Sequence, residues 1–335
     1  MTKLIVASLL FALALPAAPP GYHVVRKVQI GGGEDFWDYL TADSAGRRLY
    51  VSHSTHVVVV DLDTDKVVGD IPDTKGVHGI AVADDLGRGF VSNGRTNNVT
   101  IFDLRTLKEI ARVDTGTNPD CIQYDPATRR VFAFNGRSAS ATVIDAATGK
   151  VLSTIPLGGK PEFAQPDGAG HIYDNLEDKS EVVDIDSREM KVLHTWPLSP
   201  CESPSGMAID TAHHRLFVGC ENKMMAVVDT TSGKVVATPP AGAGIDGNGF
   251  DPDPGYAFSA NGRDGTLTVV GGDNFTVLET VTTQRGARTI AVDAKTHNLY
   301  LPTAEFGPAP APTAETPRPR PTIVKDSFTI VVVGR

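Results

Sequence analysis

Seven polar residues occupy one recurring place in this 335-residue chain: Asp38, His78, Asp120, Glu162, Ser205, Asp246 and Arg288, spaced 40 to 43 residues apart. Each lies 12 residues ahead of an aromatic residue, 11 in the fourth copy. Four of the seven are carboxylates and none is apolar. Carboxylates gathered in this way offer hard oxygen ligands, so Asp38, Asp120, Glu162 and Asp246 are candidates to hold a divalent cation such as Ca²⁺ or a cationic ligand. Crowded acids also raise one another's pKa and can serve as acid and base, with His78 as a further base. Arg288 can equally neutralise a neighbouring carboxylate. The plainer alternative is a polar ring around a water-filled opening, where each group needs only water. No nucleophile motif decides between these readings: GxSxG, HExxH and the phosphate-binding loop are all absent.

The elements that must position these residues follow from the repeat. The aromatic segments read YVSH (50–53), FVSN (90–93), FAFN (132–135), YDNL (173–176), FVGC (217–220), FSAN (258–261) and YLPT (300–303). Each is preceded by a short apolar stretch such as GIAVA (79–83). It is followed by a turn, a β-branched run such as NVTIFD (98–103), a second turn and an alternating run such as LKEIARV (107–113). Three of the first turns contain Asn-Gly-Arg, in which Gly is expected to supply positive φ and Asn to tolerate it. In the second turn Asp61, Asp103, Asp145, Asp186 and Asp229 end the third strand, where a carboxylate can accept backbone N–H groups. Four short antiparallel strands per unit of about 42 residues, repeated seven times, predict an all-β, seven-bladed β-propeller. The last unit supplies only three strands: TIAVD (289–293), LYLPT (299–303) and FTIVVV (328–333). YHVVRKVQI (22–30) matches the missing outer strand, so the N-terminal strand is expected to close the last blade. In such a ring the innermost strand lines a central channel, and the seven polar residues, placed just before it, gather at one mouth. Residues 22–335 are read as a single domain.

On the seven YVTN-type segments and the Asp-x-x-Thr/Ser-Gly-Lys turns, the chain resembles the YVTN-repeat (YncE-like) seven-bladed propellers of bacterial envelopes. The resemblance spans 22–335 and implies the fold. It leaves activity open, because this architecture hosts scaffolds, binding modules and enzymes. Signatures of other propellers are missing: there is no Gly-His…Trp-Asp pattern, only Trp37 and Trp196 are present, and no Cys-x-x-Cys-His occurs.

Residues 1–18 have a basic tip (Lys3), an apolar run (Leu4–Leu15) and a small-residue exit, the pattern of a secretory signal peptide too short to span a bilayer. A periplasmic or secreted location follows, with no membrane span and a monomer expected. The formal charge of −9 argues against nucleic acid as a partner. Export puts the cysteines in an oxidising compartment, so Cys201 and Cys220, both in loops of blade five on the mouth face, are expected to form a disulfide. Soft copper ligation by Cys201, Cys220 and Met207 is an alternative use of the same sulfurs. Cys121, beginning an inner strand, reads as a buried free thiol. The Pro-rich segment 304–325 interrupts the last blade between its second and third strands and should be extended, with no helix or strand. It projects from the mouth face as a tolerated insertion, a lid or a docking strip, to which Arg318 and Arg320 would lend positive charge. In blade four, Leu-Glu-Asp (176–178) replaces Asn-Gly-Arg, and Asn175, Glu177 and Asp178 add polar groups near the mouth. The sequons at Asn98 and Asn274 are incidental in a bacterial protein.

Two functions are compatible with these features. The first is an exported propeller binding a small ligand, a metal or an envelope protein through its mouth face. The second is a metal-assisted hydrolase or lyase, analogous to lactonase-type and streptogramin-lyase-type propellers, with His78 or a carboxylate as base.

Overall fold

Strand pairing in the computed structural model groups the chain into seven four-stranded antiparallel sheets arranged as the blades of a propeller. The model describes residues 20–32, 36–311, 313, 319 and 321–335. The expected signal peptide, Arg318 and Arg320 lie outside the described residues. Blade two shows the common plan: Val77–Ala83 innermost, then Arg88–Asn93, Asn98–Asp103 and Glu109–Asp114. Among the described residues the one helical piece is the 3-10 turn Asp84–Leu86, and no helix is long and apolar enough to cross a membrane.

The ring closes as expected. His23–Gln29 pairs antiparallel with Thr329–Gly334 and forms the outer strand of the blade that also holds Ala291–Asp293 and Asn298–Thr303. Burial explains why the ring holds. The buried apolar side chains form seven clusters, each spanning two adjacent blades, from blades one and two around to blades seven and one. The recurring aromatics sit inside them: Tyr50, Phe90, Phe132, Phe217 and Phe258 are wholly buried, and Tyr173 and Tyr300 nearly so. Removing this apolar surface from water is the main force joining neighbouring blades.

The two turns use their residues differently from one another. In the second turn the aspartates behave as expected: the amides of Thr64, Thr106, Thr148, Glu189 and Ser232 donate to Asp61, Asp103, Asp145, Asp186 and Asp229 at 2.7–2.8 Å. In Asn-Gly-Arg the left-handed residue is not the glycine but Asn97, Ala139 or Gly265, at the end of the turn. The asparagines are buried instead. Asn93 donates to Asn98 Oδ1 and Thr100 Oγ1, Asn135 to Ser140 Oγ and Thr142 Oγ1, and Asn261 to Thr266 Oγ1 and Thr268 Oγ1. In two of the three copies the glycine allows a close approach. A Cβ on Gly94 would lie 2.7 Å from His78 Nε2, and one on Gly262 would lie 2.4 Å from Arg288 Cβ. The repeated turn is therefore packed against the polar ring.

The insertion is not wholly unpaired. Phe306 and Ile323 form a β-bridge, and Gly307 N–H donates to Thr322 O at its base.

Candidate functional site at the channel mouth

The polar residues reach the mouth through a backbone irregularity. In blades two to six they do not precede the innermost strand but are its second residue, where the pairing register jumps: Val77/Ile80, Pro119/Ile122, Pro161/Ala164, Pro204/Met207 and Ile245/Gly247. A bulge of this kind bends the strand and re-aims one side chain, here His78, Asp120, Glu162, Ser205 and Asp246. The second strand supports the bulge. Gly79 N–H donates to Ser92 Oγ at 2.8 Å, Asp38 N–H to Ser52 Oγ at 2.8 Å, and Asn175 Nδ2 to Ser205 O at 2.8 Å.

Five of the seven residues form one chain of charge around the opening. Arg288 contacts Asp246 Oδ2 at 2.5 Å and Asp38 Oδ1 at 2.9 Å. Asp38 Oδ2 accepts from His78 Nδ1 at 2.5 Å, and the same nitrogen lies 3.5 Å from Asp120 Oδ1. The order Asp246–Arg288–Asp38–His78–Asp120 thus runs from blade six through blades seven, one and two to blade three. Glu162 stands beside it, 3.0 Å from Lys160 Nζ, which also pairs with Glu177. Ser205 does not join: its hydroxyl donates to Ile245 O at 2.7 Å. Asp38, His78 and Asp120 each present one atom within 4.8 Å of the other two, the spacing of a three-residue ligand set.

Burial and mutual repulsion set the protonation of these groups. Burial and the charges of Asp38 and Asp246 raise Asp120 to about 7 against the opposing pull of His78. Burial and Asp120 raise Glu162 to about 8 despite Lys160, and burial raises Asp246 to about 6 despite Arg288. Asp38 moves the other way, because the His78 hydrogen bond and Arg288 outweigh its burial. For His78, burial opposes the charge, yet the hydrogen bond it donates to Asp38 and the field of Asp120 raise it to about 9. Burial and crowding thus push three of the mouth acids up toward neutral pH, while Asp38 and Asp120 raise His78. Asp120 Oδ1 has no hydrogen-bond partner.

Several neighbours carry no pattern in the repeat and were not legible from it. Tyr39 and Phe163, each following a ring residue, meet edge to face across the channel with centroids 5.0 Å apart, and Tyr39 Oη reaches Glu162 O at 3.5 Å. Phe163 also lines a second cavity, together with Thr41, Ile80, Gln123, Gln165 and Phe250. Lys160, two residues before Glu162, had no counterpart to flag it. The mouth holds a cavity of 590 Å³ lined by Asp38, Glu162, Asp246 and Arg288 together with Phe36, Trp37, Phe306, Pro321 and Ile323. Phe306 packs on Trp37 at 6.0 Å between ring centroids, so the root of the insertion walls this cavity. Beneath Glu162, Asp174 is fully buried and its carboxyl is pushed well up by burial and by Glu162 and Asp120.

Cys201 and Cys220 are joined, with sulfurs 2.07 Å apart. As a disulfide they offer no thiolate, which removes the copper set with Met207. Cys121 is a buried free thiol, raised by its burial.

No protein-family model matches the chain, and no curated protein matches it by sequence. Among solved structures, the hydrazine synthase of Kuenenia stuttgartiensis superposes with a TM-score of 0.72 at 17% identity, covering 82% of this chain and 94% of that one. At that identity the likeness extends to the fold: the chain is a seven-bladed β-propeller.

Proposed function

We propose that this protein is an exported propeller of the YVTN-repeat type that binds a divalent cation at the channel mouth, through Asp38, His78 and Asp120. One observation carries the reading: three donor atoms from three successive blades lie within 4.8 Å of one another, and one of them, Asp120 Oδ1, has no hydrogen-bond donor. Two carboxylates and one imidazole suit Mn²⁺ better than the Ca²⁺ that carboxylates alone would suggest. Arg288, bonded to both Asp38 and Asp246, would orient the Asp38 carboxylate from the side away from His78. Glu162, Asp246 and the aromatic wall leave room above the ion for a small ligand that it could polarise. The apolar leader and the Cys201–Cys220 bridge support export.

Calorimetric titration of the chelator-treated protein with Mn²⁺ tests this reading. One equivalent should bind, and Asp120→Asn should weaken it at least tenfold. Failure of the unmodified protein to bind Mn²⁺, or equal affinity in the variant, would overturn it.

A further inference from the structure

Blade one departs from the others at its first turn. Where blades two, three and six carry Asn-Gly-Arg with four residues between the paired positions, blade one has His53-Ser-Thr-His56, with two. His53 and His56 face each other directly across the hairpin. The equivalent pairs elsewhere are Asn93 with Asn98, Asn135 with Ser140 and Asn261 with Thr266, each joined by an amide donating to an oxygen. In blade one both partners are imidazoles.

The geometry of that pair is specific. His53 Nδ1 and His56 Nε2 are 3.3 Å apart, and Asp70 Oδ1, from the adjacent strand Val67–Ile71, lies 3.7 Å from the same His56 nitrogen. Asp70 pairs with Val58, two residues from His56, so strand periodicity puts all three side chains on one face of the sheet. His53 is rigid: it is buried, it stacks on Phe328 with centroids 4.5 Å apart and planes 6° apart, and Gly32 at the exit of the closing strand packs over its Cε1. His56 and Asp70 are partly exposed and can turn about their side-chain bonds. The three residues border a cavity of 250 Å³ between blade one and the end of the closing strand.

His56 Nε2 holds at most one hydrogen, yet an imidazole nitrogen and a carboxylate oxygen both approach it. Two imidazole nitrogens bound to one tetrahedral ion at about 2.0–2.1 Å stand about 3.3–3.4 Å apart, which is the separation seen here. We propose that His53, His56 and Asp70 form a second cation site, selective for a transition ion of the Zn²⁺ class and distinct from the oxygen-rich mouth. Its two imidazoles favour such ions over Mn²⁺ or Ca²⁺. An ion there would tie the blade-one hairpin to its outer strand beside the ring closure.

The test is titration of the full chain, stripped of metal, with Zn²⁺. The His56→Ala protein should bind one equivalent fewer than the unmodified protein, or bind it at least tenfold more weakly. Asp70→Asn should show a several-fold loss. Mn²⁺ binding at the mouth should be retained in both variants, which separates failure of this site from failure of the mouth reading. Zn²⁺ should raise the Tm of the unmodified protein more than that of His56→Ala. Because His56 is partly exposed, the variant should fold, and its metal-free Tm provides the control. Zn²⁺ stoichiometry and affinity unchanged in His56→Ala, or no Zn²⁺ bound by the unmodified protein, would overturn the proposal.

Discussion

Two sets of carboxylates recur in the blades of this propeller, and the fold treats them in opposite ways. Asp61, Asp103, Asp145, Asp186 and Asp229 end the third strands at the outer turns, where each accepts a backbone amide at 2.7–2.8 Å. Those donors stabilise the ionised form, and the turn acids lie below their usual range. Asp120, Glu162 and Asp246 sit at the mouth, mostly buried and facing one another, and all three are raised. Both sets are carboxylates that recur at the same period. What differs is the supply of donors: the turn brings its own amides to its aspartate, whereas the bulge aims its acid into the opening, and the Asp246 amide donates to Arg288 O instead. A repeated carboxylate is structural where the backbone meets it and available for a ligand where it does not.

The largest expected expression of this difference is in the pH dependence of the metal-free protein. A carboxyl raised in the folded state binds its proton more tightly there than when unfolded. Stability from that group is full below the unfolded pKa, about 4, and is lost as pH rises through the folded value. For Asp246, Asp120 and Glu162 those values are about 6, about 7 and about 8. His78 adds to the same slope, contributing fully below about 6.5 and losing its contribution as pH passes about 9. With chelator present, Tm should fall between pH 5 and pH 9, by roughly 2–4 °C per pH unit for each whole proton of difference. The turn acids act in the other window: their contribution is present above the unfolded value and disappears only as pH falls below it. A Tm that stays level or rises between pH 5 and pH 9 would mean the ring acids are not crowded as described.

A single substitution isolates one member of the ring. Asp120→Asn keeps the shape and removes the charge, so in metal-free protein at pH 8 it should raise Tm by a few degrees and flatten the pH slope. With saturating Mn²⁺ the sign should invert, because the variant loses the ligand. Differential scanning calorimetry in chelator and in Mn²⁺ reads both signs. The same sign in both conditions would break the distinction between ring and turn.

The fold was legible because its information is periodic. Seven aromatics at nearly constant spacing report buried positions between blades, and the aspartate turns report strand ends in blades one to five. Closure by residues 22–30 could be read from the one strand missing at the other end of the chain. The ring residues could be listed by counting, but their pairing could not, since Arg288 touches Asp38 across 250 residues of sequence. The bulge that turns His78 or Asp120 inward leaves no mark in residue types. Tyr39, Phe163 and Lys160 escaped notice because each occurs once, and periodicity reports only what repeats. In two of the three Asn-Gly-Arg turns the glycine answers a neighbour it must admit, His78 beside Gly94 and Arg288 beside Gly262, rather than a positive φ.

The smallest effect is expected where the structural role is clearest. Asp145 Oδ1 accepts from the Thr148 amide and the Thr148 hydroxyl, both at 2.7 Å, at the turn between the third and fourth strands of blade three. Asp145→Ala removes the acceptor and leaves both donors to water. The turn is largely solvated, so the cost is held to about 1 kcal/mol, the net worth of an ordinary hydrogen bond. That corresponds to a fall in Tm of about 2–4 °C. Asp145→Asn keeps an oxygen in the same place and should recover part of the loss, since the amide of Thr148 needs an acceptor more than it needs a charge. Neither change should alter Mn²⁺ affinity, because the turn belongs to the outer edge of a blade whose contribution to the mouth is Asp120. If Asp145→Ala weakens Mn²⁺ binding as much as Asp120→Asn does, the two sets of acids are coupled through the blade. The division between structural and ligand-facing carboxylates would then fail.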